Sequence, residues 1–271
     1  MIYLIIGILI FVAVAVLYVL CTRCGGSNPV LRKLRPWAYA HRGLHNAARP
    51  ENSMAAFRAA LNQGYGIELD VHLMKDGNLA VIHDSLLKRT TGQEGRVEQL
   101  ETQDLWNYKL EGTSEIIPTF REVLELFEGK APMIIELKCV DNNQDALCTE
   151  VCRQLEGYKG LYCVESFDPR CVRWFRKNRP DIIRGQLAES GKGIPGDVPR
   201  IAKWVMGVQL LNFWTRPHFV AYKFSERKRL SNFLVKKLWG ATRVAWTLTT
   251  PEEYKQAKQE CWIPIFENFM P

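Results

Sequence analysis

His41, Arg42, Glu51, Glu68, Asp70 and His83 fall within one stretch of the chain, and Glu136 with Lys138 follows on a later apolar run. Carboxylates, imidazoles and fixed cations in this mixture suit a divalent metal ion that holds a phosphate, with histidines to move protons. In Glu68-Leu69-Asp70-Val71 the side-chain period of a strand is 2, so Glu68 and Asp70 share one face and Leu69 and Val71 the other. Two like charges on one face repel unless a cation or water separates them. The all-oxygen set Glu68, Asp70 and Glu136 favours a hard ion such as Mg²⁺, Ca²⁺ or Mn²⁺ over zinc. Arg42 can fork onto phosphoryl oxygens, and Lys138 can act there as a point charge. His41 and His83 titrate near neutrality, one to take a proton from an attacking oxygen and the other to give one to a departing alcohol, with the order unassigned. The competing reading is a buried salt-bridge network of Glu68 and Asp70 with Arg42 and Lys138, which has no use for two histidines at adjacent strand ends.

These residues need elements to position them. Asp76-Gly77 reads as a tight hairpin turn, and Leu79 to Ile82 runs back alongside, which carries His83 toward the carboxylates. Trp37 to Ala40 is an apolar run that breaks into the loop bearing His41. Asn52 or Ser53 can cap a helix through Met54, Phe57, Ala60 and Leu61 that Gly64 ends. Further along, Trp37–Ala40, Gly66–Leu73, Met133–Lys138, Leu161–Ser166, Ile182–Leu187, Trp204–Leu210, Arg243–Leu248 and Trp262–Phe266 read as strands alternating with helices. That alternation predicts a (β/α)8 barrel of the TIM type. Ser225 to Gly240 reads as an amphipathic helix with Leu230, Phe233, Leu234 and Leu238 on one side, either an outer barrel helix or a helix lying on a membrane surface.

The motifs His41-Arg42-Gly43, Pro50-Glu51-Asn52-Ser53, Glu68-Leu69-Asp70-Val71, Asp76-Gly77, His83-Asp84 and Glu136-Leu137-Lys138 stand in order. In this the chain resembles the glycerophosphodiester phosphodiesterase family from about Pro36 to its end. The resemblance implies the same barrel, Glu68, Asp70 and Glu136 as metal ligands, and an insertion over the active-site face at about residues 85–119. It implies hydrolysis of glycerophosphodiesters to an alcohol and sn-glycerol 3-phosphate. Glu51 and Asn52 lie in the family's PEN segment, where Glu51 either orients a histidine, helps at the metal or supports the following helix. Trp246 matches an aromatic on the seventh strand and either borders the glycerol or packs in the core. His45 and His218 read as loop or surface histidines, and His72 as a candidate substrate contact. The family's Gly-Asp-Gly-rich last strand is replaced by Trp262 to Phe269, no eighth helix follows, and the N-terminal linker is expected to cover that gap.

Before the barrel, at 37–271, residues 1–22 read as a single transmembrane helix: Ile2 to Leu20 is uncharged and nearly all aliphatic. No basic segment precedes it and no small-x-small cleavage site follows, so an uncleaved anchor is preferred over a signal peptide. Residues 23–36 form a basic juxtamembrane linker. Of the 36 Lys and Arg residues, Arg23, Arg32, Lys33, Arg35, Arg42 and Arg49 precede Glu51, with no acidic residue among them; the remainder nearly balances the 29 acidic residues. A juxtamembrane basic excess argues for anionic lipid headgroups rather than nucleic acid, and puts the barrel on the cytoplasmic side. Of eight cysteines, the six in the domain have no small-domain spacing and read as free thiols, and Cys21-Thr22-Arg23-Cys24 beside the membrane reads as spare or acylated thiols, since a zinc knuckle needs a second pair. No P-loop, G-x-G-x-x-G or G-x-S-x-G is present, so no nucleotide cofactor is expected. The sequence reading is therefore a membrane-anchored phosphodiesterase, with a lysophospholipase D or a catalytically silent tethered module as its rivals.

Overall fold

The structure, a computed structural model, describes residues 1–26, 28–190 and 198–271. Its strands are β1 (Tyr39–His41), β2 (Gly66–Leu73), β3 (Leu79–Val81), β4 (Met133–Leu137), β5 (Tyr162–Ser166), β6 (Arg184–Ala188), β7 (Phe219–Lys223), β8 (Thr242–Leu248) and β9 (Trp262–Phe266). β3 is the antiparallel return of the Asp76-Gly77 hairpin. The other eight are parallel, and β1 pairs with both β2 and β9, which closes an eight-stranded TIM-type barrel.

Strand parity divides the core into two layers. Inward residues at the N-terminal half of the barrel are apolar, among them Tyr39, Ile134, Cys163, Ile183, Phe219, Val244 and Ile263. Outward residues such as Leu69, Val71, Ile135, Val164 and Val220 pack beneath the helices. Those helices start where side chains can satisfy their free amides. Ser53 Oγ accepts from Ala56 N–H to open α3 (Met54–Asn62), and Thr119 with Glu122 forms a capping box on α5 (Phe120–Phe127). Residues 85–119 add short helical turns over a satellite cluster of Leu87, Val97, Leu100, Leu105, Leu110 and Ile117.

Two strand and helix expectations need correction. Trp204–Leu210 is not a strand: it lies in and just beyond a helix at Arg200–Gly207. The barrel strand is β7, whose Phe219 to Tyr222 is buried on both faces, behind the break at Pro217. Residues 225–240 contain a shorter helix, Leu230–Lys237, and its apolar stripe faces outward. Leu230, Phe233 and Leu238 are exposed while Ser231, Asn232 and Val235 face the barrel. Both polar side chains accept there from one amide, since Gln209 Nε2 donates to Asn232 Oδ1 at 2.7 Å and to Ser231 Oγ at 3.3 Å.

The N-terminal segment also differs from a plain anchor and linker. α1 (Ile2–Cys21) is long and apolar enough to cross a membrane by length and composition. Residues 23–36, of which Ser27 lies outside the described residues, carry α2 (Pro29–Leu34), capped by Asn28. Leu31 and Leu34 are buried against the inward apolar layer, Tyr39 Oη donates to Leu34 O at 3.1 Å, and Arg35 Nη2 donates to Thr242 Oγ1 at 2.9 Å. The expected linker is thus the floor of the barrel. At the other terminus Phe269 packs on Phe266 and Tyr254, so the chain's own tail, not the linker, covers that wall. Every cysteine is free, and Cys24 is buried.

His218 is buried rather than on the surface. Its Nδ1 accepts from Arg184 N–H at 3.3 Å, and burial, aided by the Arg184 guanidinium, pushes its pKa down to about 4. The unfolded chain takes up that proton near pH 6.5, the fold only near 4, so stability from the neutral ring is complete above pH 6.5 and lost as pH falls toward 4. Chemical denaturation of wild type and His218→Gln at pH 7 and pH 4.5 should show a smaller acid-induced loss in the variant, which keeps an acceptor but does not titrate.

Candidate active site

Inward parity at the C-terminal ends of the strands assembles one pocket. β1 gives His41, β2 gives Glu68 and Asp70, β4 gives Glu136 and is followed by Lys138, and β8 gives Trp246. Asp70 stands in register with Glu136, and Glu136 with Glu165 of β5. His41, Arg42, Glu68, His83, Glu136, Lys138 and Trp246 all line the resulting cleft. Local backbone helps: Gly43 has φ +82°, and a Cβ there would come within 2.9 Å of Ala56 and Phe57. Arg42 and Asn52 both have φ of 54°, and Asn52 N–H donates to Arg42 O at 2.9 Å.

The electrostatics centre on buried carboxylates. Oxygens of Glu68, Asp70 and Glu136 lie within 4.8 Å of one another. Lys138 Nζ bridges two of them, 2.9 Å from Asp70 Oδ1 and 2.6 Å from Glu136 Oε1. Burial alone would raise Asp70, but Lys138, His83, Arg42 and the Asn52 amide, 2.8 Å from Oδ2, hold it well below the usual carboxylate range. The others are less compensated. Burial, with Asp70, Glu136 and Glu165 nearby, pushes Glu68 well up. Burial also raises Glu136 despite Lys138, and raises Glu165 further with Glu136 beside it. Glu165 Oε2 has no hydrogen-bond partner. Carboxylates crowded and short of positive charge, offering only oxygen, fit a hard divalent cation.

Each candidate histidine is held by its own carboxylate at Nδ1. His41 Nδ1–H donates to Glu267 Oε2 in a short hydrogen bond, and its Nε2 lies 3.9 Å from Glu68 Oε2. Burial lowers the His41 pKa although Glu267 works against the shift; the hydrogen bonds from His41 and His45 hold Glu267 well below its ordinary value. His83 Nδ1–H donates to Asp84 Oδ1 at 2.6 Å.

Glu51 meets neither histidine: it accepts from Arg42 Nη1 at 2.9 Å and from Arg89 Nη2 at 2.6 Å. Arg89 Nε also pairs closely with Asp84. A chain His83–Asp84–Arg89–Glu51–Arg42 therefore joins one imidazole to the guanidinium through a residue of the 85–119 segment. Arg42 Nε lies 3.4 Å from Asp70 Oδ2. His72 is not at the pocket. It is 2% exposed, with Nδ1 at 2.8 Å from Glu98 Oε1 and Nε2 at 3.1 Å from His83 O, so it supports the His83 backbone. Trp246 borders the cleft with Nε1 unpaired, edge-on to Phe167.

Three residues that line the cleft, Glu165, Glu189 and Lys223, escaped the sequence reading, as did Glu267, which holds His41. Glu165 and Lys223 have inward parity on their strands, and Glu189 and Glu267 follow directly on β6 and β9. Lys223 Nζ pairs with Glu189 Oε2 at 2.9 Å. The signal was available as one charged residue at the C-terminal end of the inward-facing rows of β5, β6, β7 and β9.

Comparison with known proteins follows the same lines. The sequence profile of the glycerophosphoryl diester phosphodiesterase family matches residues 41–259. A glycerophosphodiester phosphodiesterase of Bacillus altitudinis is 39% identical over 155 residues, which is 53% of this chain and 63% of that protein. The match thus spans under two thirds of that relative's length. A lysophospholipase D of Rattus norvegicus is 38% identical over 122 residues, 40% of this chain and 38% of that one. A phosphodiesterase of Oleispira antarctica, solved with sn-glycerol-3-phosphate, superposes with a TM-score of 0.70 over 86% of this chain and 92% of its own, at 23% identity. With its profile match running from His41 into the last barrel helix, this chain belongs to the glycerophosphoryl diester phosphodiesterase family.

Proposed function

We propose that the chain hydrolyses glycerophosphodiesters to an alcohol and sn-glycerol 3-phosphate, with a divalent metal ion. The observation that carries this reading is the meeting of the Glu68, Asp70 and Glu136 oxygens with two carboxylate-held imidazoles in one cleft. The Bacillus relative's name and the product in the Oleispira structure support this substrate class.

Glu68, Asp70 and Glu136 would hold Mg²⁺, Ca²⁺ or Mn²⁺, which when bound supplies positive charge beside the phosphoryl oxygens. Arg42, fixed by Glu51, and Lys138 present further positive charge to those oxygens as negative charge grows on them. Burial lowers the His41 pKa and so favours the neutral ring, whose Nε2 accepts a proton from the attacking oxygen. Glu267 holds the ring in the tautomer that this requires and stabilises the imidazolium that forms. His83, fixed at Nδ1 by Asp84, gives its Nε2 proton to the departing alkoxide. Asn52 orients Asp70, and Trp246 offers an unpaired N–H and an apolar face to the glycerol.

α1 acts as an uncleaved single-pass anchor in this reading. The acid-free stretch before Glu51 favours a cytoplasmic barrel and anionic lipids as its surroundings.

Product analysis with a panel of glycerophosphodiesters should yield sn-glycerol 3-phosphate and lose all turnover with excess chelator; metal-independent turnover, or none across the panel, rejects the proposal. Binding can be read without turnover. Mg²⁺ or Ca²⁺ should raise the melting temperature of wild type saturably, and Glu68→Gln or Glu136→Gln should remove that rise. For the proton transfers, His41→Ala or His83→Ala should lower the rate on the order of 10² to 10⁴-fold. Glu267→Gln should lower kcat by about 10²-fold or more and move the acidic limb of the pH–rate profile to lower pH, since Glu267 holds the His41 pKa up. An unmoved limb with full kcat would remove Glu267 from the mechanism.

A further inference from the structure

The floor of the barrel, at the N-terminal ends of β6 and β7, carries a cluster of guanidinium groups that the cleft at the opposite end does not use. Arg184 opens β6. Leu187 lines the cleft, so Arg184, an odd number of residues before it, faces outward. It packs under the helix Pro169–Asn178, which bears Arg173 and Arg176, three residues apart and so on one face. Arg216 ends the helical turn Asn212–Thr215 in a left-handed conformation, φ +47°.

All four side chains reach the carbonyls of that one turn. Arg176 Nη1 donates to Phe213 O at 3.2 Å and to Trp214 O at 2.8 Å. Arg216 Nε shares Phe213 O at 3.0 Å, and Arg173 Nη1 shares Trp214 O at 3.4 Å. Arg184 Nη2 donates to Arg216 O at 2.9 Å, and its Nε lies 3.5 Å from Thr215 O. Donors that share one oxygen stand close together, so the positive charges are crowded.

The crowding exceeds what the turn needs. Even a long helix offers only about half a negative charge at its C-terminus, and this one has four residues. Among the described residues none of the four arginines forms an ion pair with a carboxylate, whereas Arg179, a few residues on, pairs with Asp181 at 2.6 Å. Burial, with Arg23 and Arg176 nearby, lowers the pKa of Arg216. Burial, with Arg176 nearby, pushes Arg184 down to about 10. Arg184 is 5% exposed, and its Nη1 has no hydrogen-bond partner. A buried cation with an idle donor, set among like charges, calls for an anion.

We infer that Arg173, Arg176, Arg184 and Arg216 form a second site, separate from the cleft, that takes a phosphate anion. Guanidinium forks match phosphate oxygens in spacing and charge. The site adjoins the end of α1. Gly25 N–H donates to Pro217 O at 2.8 Å, a Cβ on Gly25 would stand 2.8 Å from Arg216 O, and Trp239 Nε1 donates to Thr22 Oγ1 at 3.1 Å. The source of the phosphate rests on the reading of α1 as an anchor, which the site itself does not need. The end of a spanning helix lies at headgroup level whatever its tilt, and Arg23 and Trp239 beside it are residue types of that layer. The phosphate is then that of an anionic lipid, and it holds the barrel at a second point besides the helix.

The test follows the melting temperature of the full chain in detergent micelles, with chelator present, against short-chain phosphatidylglycerol, short-chain phosphatidylcholine and inorganic phosphate. Phosphatidylglycerol should raise it saturably, and phosphatidylcholine, whose headgroup brings its own cation, should do so far more weakly. Arg173→Gln/Arg176→Gln/Arg216→Gln should need at least about tenfold more phosphatidylglycerol for the same rise. Arg176→Gln alone changes one half-buried side chain and should shift the midpoint the same way, which keeps the test open if the triple variant does not fold. Glu68→Gln/Glu136→Gln, altered in the cleft, should respond as wild type does. A rise with inorganic phosphate but not with the lipid, lost in the arginine variants, upholds the site and rejects the lipid as its source. A rise that the arginine variants keep, one that the cleft variant loses, or no rise with either anion overturns the site. Turnover is read in no arm, so failure of the proposed hydrolysis would show separately.

Discussion

Glu68, Asp70, Glu136 and Glu165 stand closer together in the barrel mouth than their charges allow unaided. All are nearly shut off from water, and in such surroundings like charges a few ångströms apart are pushed toward their neutral forms. Lys138 relieves Asp70 but not the group as a whole, as the raised pKa of Glu136 beside it shows. A fold that only needed stability would fill these positions with aliphatic residues, as the same strands do two residues earlier at Ile134 and Cys163. The carboxylates thus strain the top of a barrel whose lower half is a packed apolar plug, and the lower half must supply the rigidity that keeps them together.

The flanking groups answer the same constraint from distant parts of the chain. His41 sits at the end of the first strand and Glu267 just past the last, and they meet because the barrel closes between β1 and β9. Closure is therefore a condition for the histidine's orientation. Likewise Arg89 of the 85–119 segment bridges Asp84 and Glu51. The insertion is thereby tied to both the second imidazole and the guanidinium, so a shift of its loop moves two pocket groups together.

Much of this was legible in the sequence because strand period and short-range spacing decide it. Parity alone puts Glu68 and Asp70 on one face, and the Asp76-Gly77 turn brings His83 back. Long-range pairings were not legible: nothing local ties Glu267 to His41 or Arg89 to Glu51. β7 was missed while Trp204–Leu210 was taken for a strand, and the two errors cancelled in the count of eight. The helix there is short and leaves Ile201 and Trp204 exposed, so burial did not stamp a period of 3.6 on it. The helix Leu230–Lys237 misled for a related reason. Its apolar stripe implies an inward face, but hydrogen bonds from Gln209 make the polar face the buried one.

The apolar helix is tied to the barrel floor by the residues that follow it. α2 has to lie under the barrel, because Leu31 and Leu34 fill the open end of the apolar plug. Few residues separate it from α1, and Gly25 and Thr22 are pinned beside Pro217 and Trp239. The end of α1 is accordingly fixed at floor level. From there the helix is exposed from Leu17 back to Met1, and only its last turn, at Tyr18 and Val19, is partly covered by the barrel. The plug that completes the core thus also sets where the apolar helix joins the barrel, at the end opposite the carboxylates.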